Sequence, residues 1–262
     1  MSRSDPPRAE KCKRSRRRLF LLYHDVTVNR LDYIYAIHLD DFKRHVECVM
    51  KIRQDQPLAL WPELTFDDGQ ISNYENTAPV LESCGLRARF VITVGWTGVK
   101  SGYMGWDQVK ALHRQGHSIG SHGWSHAFLT RCSPAELGEE LKRSKEALEE
   151  KLGSPVMEIS MPGGRFNRRV LEACREIGYT KIFTSEPVSE GGSAELVTGR
   201  ANVNGDASVN WIAEVLEPQS KVLRRSHREY LSHVAMRRLL GYSLYKKLWT
   251  WVNRHQSSEP VH

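Results

Sequence analysis

Short apolar runs recur along the chain between residue 18 and about residue 220, separated by longer stretches in which apolar and polar positions alternate at helical spacing. Such runs, bounded by polar or turn residues, are typical of buried strands. The sequence predicts six of them, at 19–23, 64–66, 88–94, 117–121, 158–161 and 180–184.

Helical patterns lie between the predicted strands. The clearest opens at Ser133 and Pro134 with the Ser-x-x-Glu signature of a capping box, and a glycine at 153 is expected to end it. A second opens at Asn167 and should stop at Gly178. Strands that alternate with helices predict an α/β fold with a mostly parallel sheet, in which active residues gather at the carboxyl ends of the strands.

The two ends of the chain differ from this body in charge. Residues 1–17 predict a basic, disordered arm, and residues 18–220 predict one domain. Residues 221–262 predict a basic amphipathic helical tail, with nine Lys/Arg between 221 and 254 against Glu229 alone. A helix of this kind can lie on an anionic membrane or pack on the domain with its charges in water. We favour packing, because core-facing stripes are the commoner case.

Composition narrows the class of protein. The chain has 262 residues, a net charge of +7, and five widely spaced cysteines without a CxxC pair, which argues against a disulfide framework. The apolar run that follows the basic N-terminus is too short for a signal peptide, and no run could span a bilayer. These features favour a cytoplasmic protein, with peripheral membrane contact through the basic arms as a further hypothesis.

Two carboxylates and two histidines carry the candidate chemistry. Asp67 and Asp68 follow a predicted strand, and His122 and His126 lie beyond the end of another. Adjacent side chains on an extended segment point to opposite sides, so one aspartate can bind a metal while the other accepts a proton. Two imidazoles and one carboxylate form a mixed triad that leaves positions open for water, as in hydrolytic metal sites.

Each signal has a simpler explanation when taken alone. Asp-Gly is a common turn pair, so Asp68 and Gly69 could be no more than a turn. Histidines four apart are weak evidence, since His113 and His117 share that spacing. The glycine-flanked exit around His122, together with the Pro-Gly-Gly turn at 162–164, favours a common site.

These segments resemble three motifs of the polysaccharide deacetylases, carbohydrate esterase family 4. The motifs are Thr65-Phe66-Asp67-Asp68-Gly69, Ser121-His122-Gly123-Trp124-Ser125-His126 and Met161-Pro162-Gly163-Gly164-Arg165-Phe166-Asn167, and the resemblance extends over residues 19–205. It implies a distorted (β/α) barrel with fewer than eight full repeats. It also implies removal of N-acetyl groups from an amino sugar in a polysaccharide or glycoconjugate precursor.

The resemblance also implies roles for individual residues. Asp68, His122 and His126 would hold a divalent metal, most often Zn²⁺, with Co²⁺ or Ni²⁺ as alternatives. Asp67 would be the general base, and the turn at Pro162 and Gly163 would hold the oxyanion. The family's usual acid is a histidine near the end of the domain, and this chain lacks a matching strand. The segment Leu21-Leu22-Tyr23-His24-Asp25 resembles the first strand of the poly-N-acetylglucosamine deacetylase branch, which makes His24 the candidate acid.

One supporting residue departs from the family pattern. Members often carry an arginine before the proline of the third motif, where this chain has Ser160 and Met161. Arg165 or Arg200 is expected to take its place. Two other functions stay open, namely an amidase acting on a small non-sugar amide and a catalytically silent glycan-binding protein. Neither basic arm matches a nucleic-acid motif, so no specific nucleic acid is expected.

Overall fold

Eight parallel strands form the central sheet in a computed structural model that describes residues 17–55, 60–188 and 196–252. Along the sheet the strands follow the order β10 (Arg200–Asn202), β1 (Arg17–Tyr23), β4 (Leu60–Phe66), β5 (Arg89–Ile92), β6 (Ser118–Ser121), β7 (Glu158–Ser160), β8 (Lys181–Phe183) and β9 (Val197–Thr198). Two more strands, β2 (Asp25–Thr27) and β3 (Ala36–His38), form a small parallel pair beside it.

The chain itself joins the two edges of this sheet. β9 and β10 lie at opposite ends of the hydrogen-bonded order, yet only Gly199 separates them in sequence. A side chain at position 199 would clash with the carbonyl oxygen of Glu186, so glycine is required there. This closure gives a distorted (β/α) barrel and confirms the predicted fold class.

Seven α-helices accompany the strands in the described part of the chain. They are α1 (Leu39–Asp55), α2 (Ala78–Ser83), α3 (Trp106–Arg114), α4 (Pro134–Leu152), α5 (Arg168–Ile177), α6 (Val209–Val215) and α7 (Lys221–Val252). In the described residues β8 is not followed by a helix, so the barrel has fewer than eight full repeats, as predicted. No helix within the described ranges combines the length and apolar character needed to cross a bilayer.

The predicted strands and helices are all present. Ser133 and Glu136 form the reciprocal capping box of α4, and Gly153 ends that helix with a φ of +66°. α1 was not predicted, although its buried residues Phe42, Val46 and Val49 recur at helical spacing. Four short strands, β2, β3, β9 and β10, were not predicted either, and of these β2, β9 and β10 lie in no longer apolar run.

The two ends of the chain differ in how far the structure describes them. Residues 1–16 lie outside the described ranges, so the predicted disordered arm stays a prediction. The tail forms α7, which bends at Gly241, where φ is 69° and ψ is 164°. Four of the five cysteines, at positions 48, 84, 132 and 174, are free thiols, and Cys12 falls outside the described residues.

Candidate active site

The predicted site residues meet at the carboxyl edge of the barrel. β1 ends just before His24, β4 just before Asp67, and β6 just before His122. Parallel strands bring these ends to one face of the sheet. A small cavity of about 50 Å³ opens there, and it is lined by His24, Tyr33, Asp67, Asp68, His122, His126, Met161, Gly163, Gly164 and Ser185.

Three side chains converge inside this cavity. The Oδ1 atom of Asp68 lies 3.4 Å from Nε2 of His122 and 3.4 Å from Nε2 of His126. All three atoms lie within 4.8 Å of one another. Burial would raise the pKa of the Asp68 carboxyl, but the two imidazoles reverse this and hold it well below its usual value.

The spacing of these atoms fits a divalent metal. Ligand atoms about 2.1 Å from a tetrahedral Zn²⁺ lie roughly 3.4 Å apart. Asp68 Oδ1 is buried and has no hydrogen bond of good geometry among the described residues. The Nδ1 atom of His122 lies 2.9 Å from the carbonyl oxygen of Ser160. A proton on Nδ1 leaves Nε2 free to coordinate, as for most metal-binding histidines. Asp68, His122 and His126 are therefore suited to hold the cation.

Two of these residues have an unusual backbone conformation. Among the described residues other than glycine, a positive φ occurs at Asp68 (72°) and His126 (64°). Such conformations cost about 1–3 kcal/mol each and cluster at functional sites. At Asp68 the left-handed turn separates its carboxylate from that of Asp67. An extended segment was expected to direct the two carboxylates to opposite sides. They are indeed separated, but the turn after β4 separates them.

The loop that carries both histidines is fixed by Glu140 of α4. Its carboxylate accepts hydrogen bonds from the backbone N–H groups of Trp124 and Ser125, at 2.8 and 3.0 Å, and from the Ser125 hydroxyl. Trp96 stacks on the His126 ring with 5.3 Å between centroids. These contacts turn the two imidazoles towards Asp68. Sequence reasoning did not identify Glu140, because its partners are backbone groups of a distant loop.

Asp67 has different partners from its neighbour. Arg200 donates two hydrogen bonds to its carboxylate, both of 2.7 Å, and the Ser160 hydroxyl donates a third of 2.8 Å. Burial alone would raise the pKa of Asp67, but the charges of Arg200 and His122 lower it to about 2. Its Oδ2 atom lies 3.9 Å from Nε2 of His122. Asp67 is thus an ionised carboxylate beside the triad, held by other groups.

Of the two arginines considered above, Arg200 contacts Asp67. It projects from β10, is fully buried, and also donates to the Ser160 hydroxyl at 2.6 Å. The guanidinium of Arg165 instead lies 4.1 Å from the ring centroid of Phe128. Ser160 thus occupies the place where the family often has an arginine. The guanidinium that pairs with Asp67 comes instead from Arg200 on β10, at the edge of the sheet.

His24 faces the same cavity from β1. It is 7% exposed, its ring lies 4.7 Å from that of Tyr35, and no hydrogen bond to its Nδ1 atom is found within the described ranges. Burial lowers the pKa of His24, while the charges of Asp68 and Asp67 oppose that shift. The other two histidines that lie four residues apart, His113 and His117, do not line the cavity. His113 contacts Ser154, and burial lowers the pKa of His117 to about 4.

The turn of the third motif forms one wall of the cavity. Gly163 and Gly164 both have a positive φ, of 61° and 65°. A side chain at 164 would lie 2.7 Å from the Ser185 hydroxyl oxygen, so the close approach of this wall requires glycine. Pro162 is buried between Met161 and Gly163. The sequence reasoning missed Tyr33 and Ser185 as lining residues, since neither belongs to a motif.

Comparisons with known proteins agree with this architecture. Residues 62–182 match the family model described as polysaccharide deacetylase. The chain is 32% identical over 124 residues to YxkH of Bacillus subtilis, and 27% identical over 123 residues to a peptidoglycan-N-acetylglucosamine deacetylase of Bacillus cereus. Each alignment covers 47% of this chain, and they span 44% and 55% of the two relatives.

The fold has a close structural counterpart. The Streptococcus pyogenes deacetylase PplD, solved in complex with acetate, superposes with a TM-score of 0.67 at 22% identity. The match covers 77% of this chain and 99% of that one. At this identity the likeness concerns the fold. The family model and the curated relatives show that residues 62–182 belong to a polysaccharide deacetylase domain.

Proposed function

We propose that this protein is a metal-dependent hydrolase that removes N-acetyl groups from an amino sugar in a polysaccharide or glycoconjugate precursor. The observation that carries the proposal is the convergence of Asp68, His122 and His126 beside Asp67, a separate ionised carboxylate. The name of the Bacillus cereus relative supports N-acetylglucosamine as the sugar type.

Asp68, His122 and His126 would hold the divalent cation, which would act as a Lewis acid on the acetyl carbonyl and lower the pKa of the attacking water. Asp67 accepts the proton of that water. Its two hydrogen bonds from Arg200 fix the orientation of the carboxylate and keep it ionised. The backbone N–H of Gly163, in the cavity wall, is assigned to the developing oxyanion, since fixed donors stabilise charge that forms in the transition state.

The departing amine needs a proton, and we assign its donor to His24. The His24 ring lines the cavity and carries no other assigned role. A donor of this kind contributes about 10²- to 10⁴-fold to the rate. The cavity of about 50 Å³ has room for an acetyl group, so the sugar ring itself would lie at the mouth.

The proposed metal gives the first prediction. Dialysis against a chelator should abolish acetate release from an N-acetylglucosamine oligomer, and adding back Zn²⁺, Co²⁺ or Ni²⁺ should restore it. His122→Ala should lose both the metal, measured by elemental analysis, and the activity. His113→Ala removes a histidine outside the cavity and is the matched control. A wild-type protein that binds metal but releases no acetate would support the silent glycan-binding alternative.

The acid role of His24 gives the second prediction. His24→Asn should slow hydrolysis of the N-acetyl sugar by about 10²- to 10⁴-fold, because the amine must leave with a proton. Hydrolysis of an activated aryl acetate should change far less, because a phenolate leaves without one. Bound metal should stay constant. Equal losses on both substrates would assign His24 a different role.

The amidase alternative is separated by a substrate panel. Release of acetate from N-acetylglucosamine oligomers, with no opening of a small cyclic amide such as hydantoin, would support an amino sugar as the substrate. Opening of the cyclic amide without release of acetate would support the amidase. A cytoplasmic, membrane-peripheral location remains a prediction from composition.

A further inference from the structure

The outer face of α7 exposes leucines that packing on the domain does not cover. Leu239 is 84% exposed, Leu244 54%, Leu231 48% and Leu240 37%. The bend at Gly241 lies between Leu240 and Leu244, so the exposed leucines flank it on both sides. Leu239, Leu240 and Leu244 lie within six residues of one another, and exposed apolar side chains grouped in this way mark a contact with another molecule or a membrane. The expectation that the apolar stripe faces the core is wrong for these four positions.

The inner face of the same helix is attached to the rim of the cavity. His227 lies 2.8 Å from the carboxylate of Glu186, which follows the cavity residue Ser185. Beyond the bend, Tyr245 is buried and its hydroxyl lies 3.1 Å from Nδ1 of His233. Burial and, to a lesser degree, the charge of Tyr245 raise the pKa of Tyr35, whose ring lies 4.7 Å from that of His24. α7 therefore passes beside the catalytic mouth, and the exposed leucines lie on the same helix.

Cations accompany these leucines. α7 contains eight Lys/Arg and a single acidic residue, Glu229, which pairs with Arg225. Six of the cations are exposed, namely Lys221, Arg224, Arg225, Arg228, Arg238 and Lys247. Leucines flanked by arginine and lysine on one helix are typical of helices that lie in an anionic membrane surface.

Other exposed apolar side chains border the same mouth. Val28 and Leu31 precede Tyr33, a residue of the cavity wall, and Val99 follows Trp96, which stacks on His126. Lys100, next to Val99, is exposed as well. Among the large apolar residues that are exposed in the described chain, Met157 alone lies at the opposite end of the barrel, just before β7.

We propose that this membrane face, comprising the outer side of α7 with the loops at 28–31 and 98–100, docks on an anionic lipid bilayer. The leucines enter the boundary between headgroups and acyl chains, and the cations contact lipid phosphates. Two copies of so basic a face would repel each other. A nucleic acid would contact the cations through its phosphates but would leave the exposed leucines without an apolar partner. On the function proposed above, docking turns the cavity towards the bilayer, so the substrate is an amino sugar carried on a lipid anchor.

Vesicle flotation with the full-length protein tests this surface without using the enzyme's activity. The protein should float with phosphatidylcholine vesicles that contain phosphatidylglycerol, and much less with phosphatidylcholine alone. Leu239→Ser/Leu244→Ser should reduce the partition coefficient at least about tenfold, because two apolar anchors are lost. Arg238→Gln/Lys247→Gln should reduce binding to the anionic vesicles and weaken its dependence on salt. Met157→Ser is the matched control and should float as the wild type does.

Several outcomes would overturn the proposal. They are failure of the wild type to float with anionic vesicles, unchanged flotation of the leucine variant, and equal loss on Met157→Ser. The proposal would also fail if the protein bound a DNA duplex as strongly as the vesicles and the leucine variant bound that duplex equally well. The surface would then be a general binding site for polyanions. Acetate release from a soluble oligomer should be unchanged in the leucine variant. Flotation without any such release would refute the proposed function and leave the membrane face intact.

Discussion

Asp67→Asn is expected to lower acetate release from an N-acetylglucosamine oligomer by about 10²- to 10⁴-fold while the bound metal stays constant. The amide keeps the shape of the side chain and can still accept from Arg200, but it cannot take the proton of the attacking water. The three groups suited to the metal, Asp68, His122 and His126, are untouched. Steady-state rates and elemental analysis on the same preparation measure both quantities.

The neighbouring position provides the control for this experiment. Asp68→Asn alters the triad and should lose the metal and the activity together. If Asp67→Asn also loses the metal, Asp67 is a ligand and its separate role is wrong. If Asp67→Asn retains full activity with its metal, another group is the base. The assays should be run well below the variant's melting temperature, because the change leaves the Arg200 charge without an ionised partner.

Arg200→Met is expected to lower the free energy of unfolding by about 3–5 kcal/mol, because it leaves the buried Asp67 carboxylate without its cation. Both side chains are almost fully buried, at 0% and 3% exposure, so water cannot take the place of the arginine. Denaturant unfolding measures the loss. Arg200→Lys should fall between the wild type and Arg200→Met, since an ammonium keeps the charge but not the paired geometry.

The same variant tests whether Arg200 positions the base. Burial raises the pKa of Asp67 and Arg200 opposes it, so without the arginine the carboxylate should protonate at a higher pH. The acid limb of the activity profile should therefore move upwards in Arg200→Met. The folded wild type holds the carboxyl pKa near 2, below its value in the unfolded chain. The pair thus stabilises the fold above about pH 4, and that contribution is lost as the pH falls towards 2.

A double variant separates positioning from simple packing. Asp67→Asn/Arg200→Met removes both charges, so it should be more stable than the sum of the two single changes predicts. An additive result, or an unshifted pH profile in Arg200→Met, would mean that the arginine only fills space.

Much of the fold could be predicted because its signals are local. The apolar runs located six of the eight barrel strands, since a buried strand needs a continuous apolar segment. Capping chemistry gave α4 and α5, because Ser133 and Asn167 satisfy the first free N–H groups of their helices. β9 and β10 could not be found, since their two and three residues include polar ones and lie in no longer apolar run.

The local sequence specifies the chemistry available here, because the motifs place Asp67, Asp68, His122 and His126 on the segments that follow two strands whose ends must meet. Which groups support these four side chains depends on the folded chain. Arg200 lies 133 residues from Asp67 in the chain and reaches it because β10 pairs with β1 at the closure of the barrel. Glu140 holds the histidine loop from a neighbouring helix, and the packing of α7 leaves four of its leucines exposed. Such contacts depend on closure and packing between distant segments, which no local pattern records.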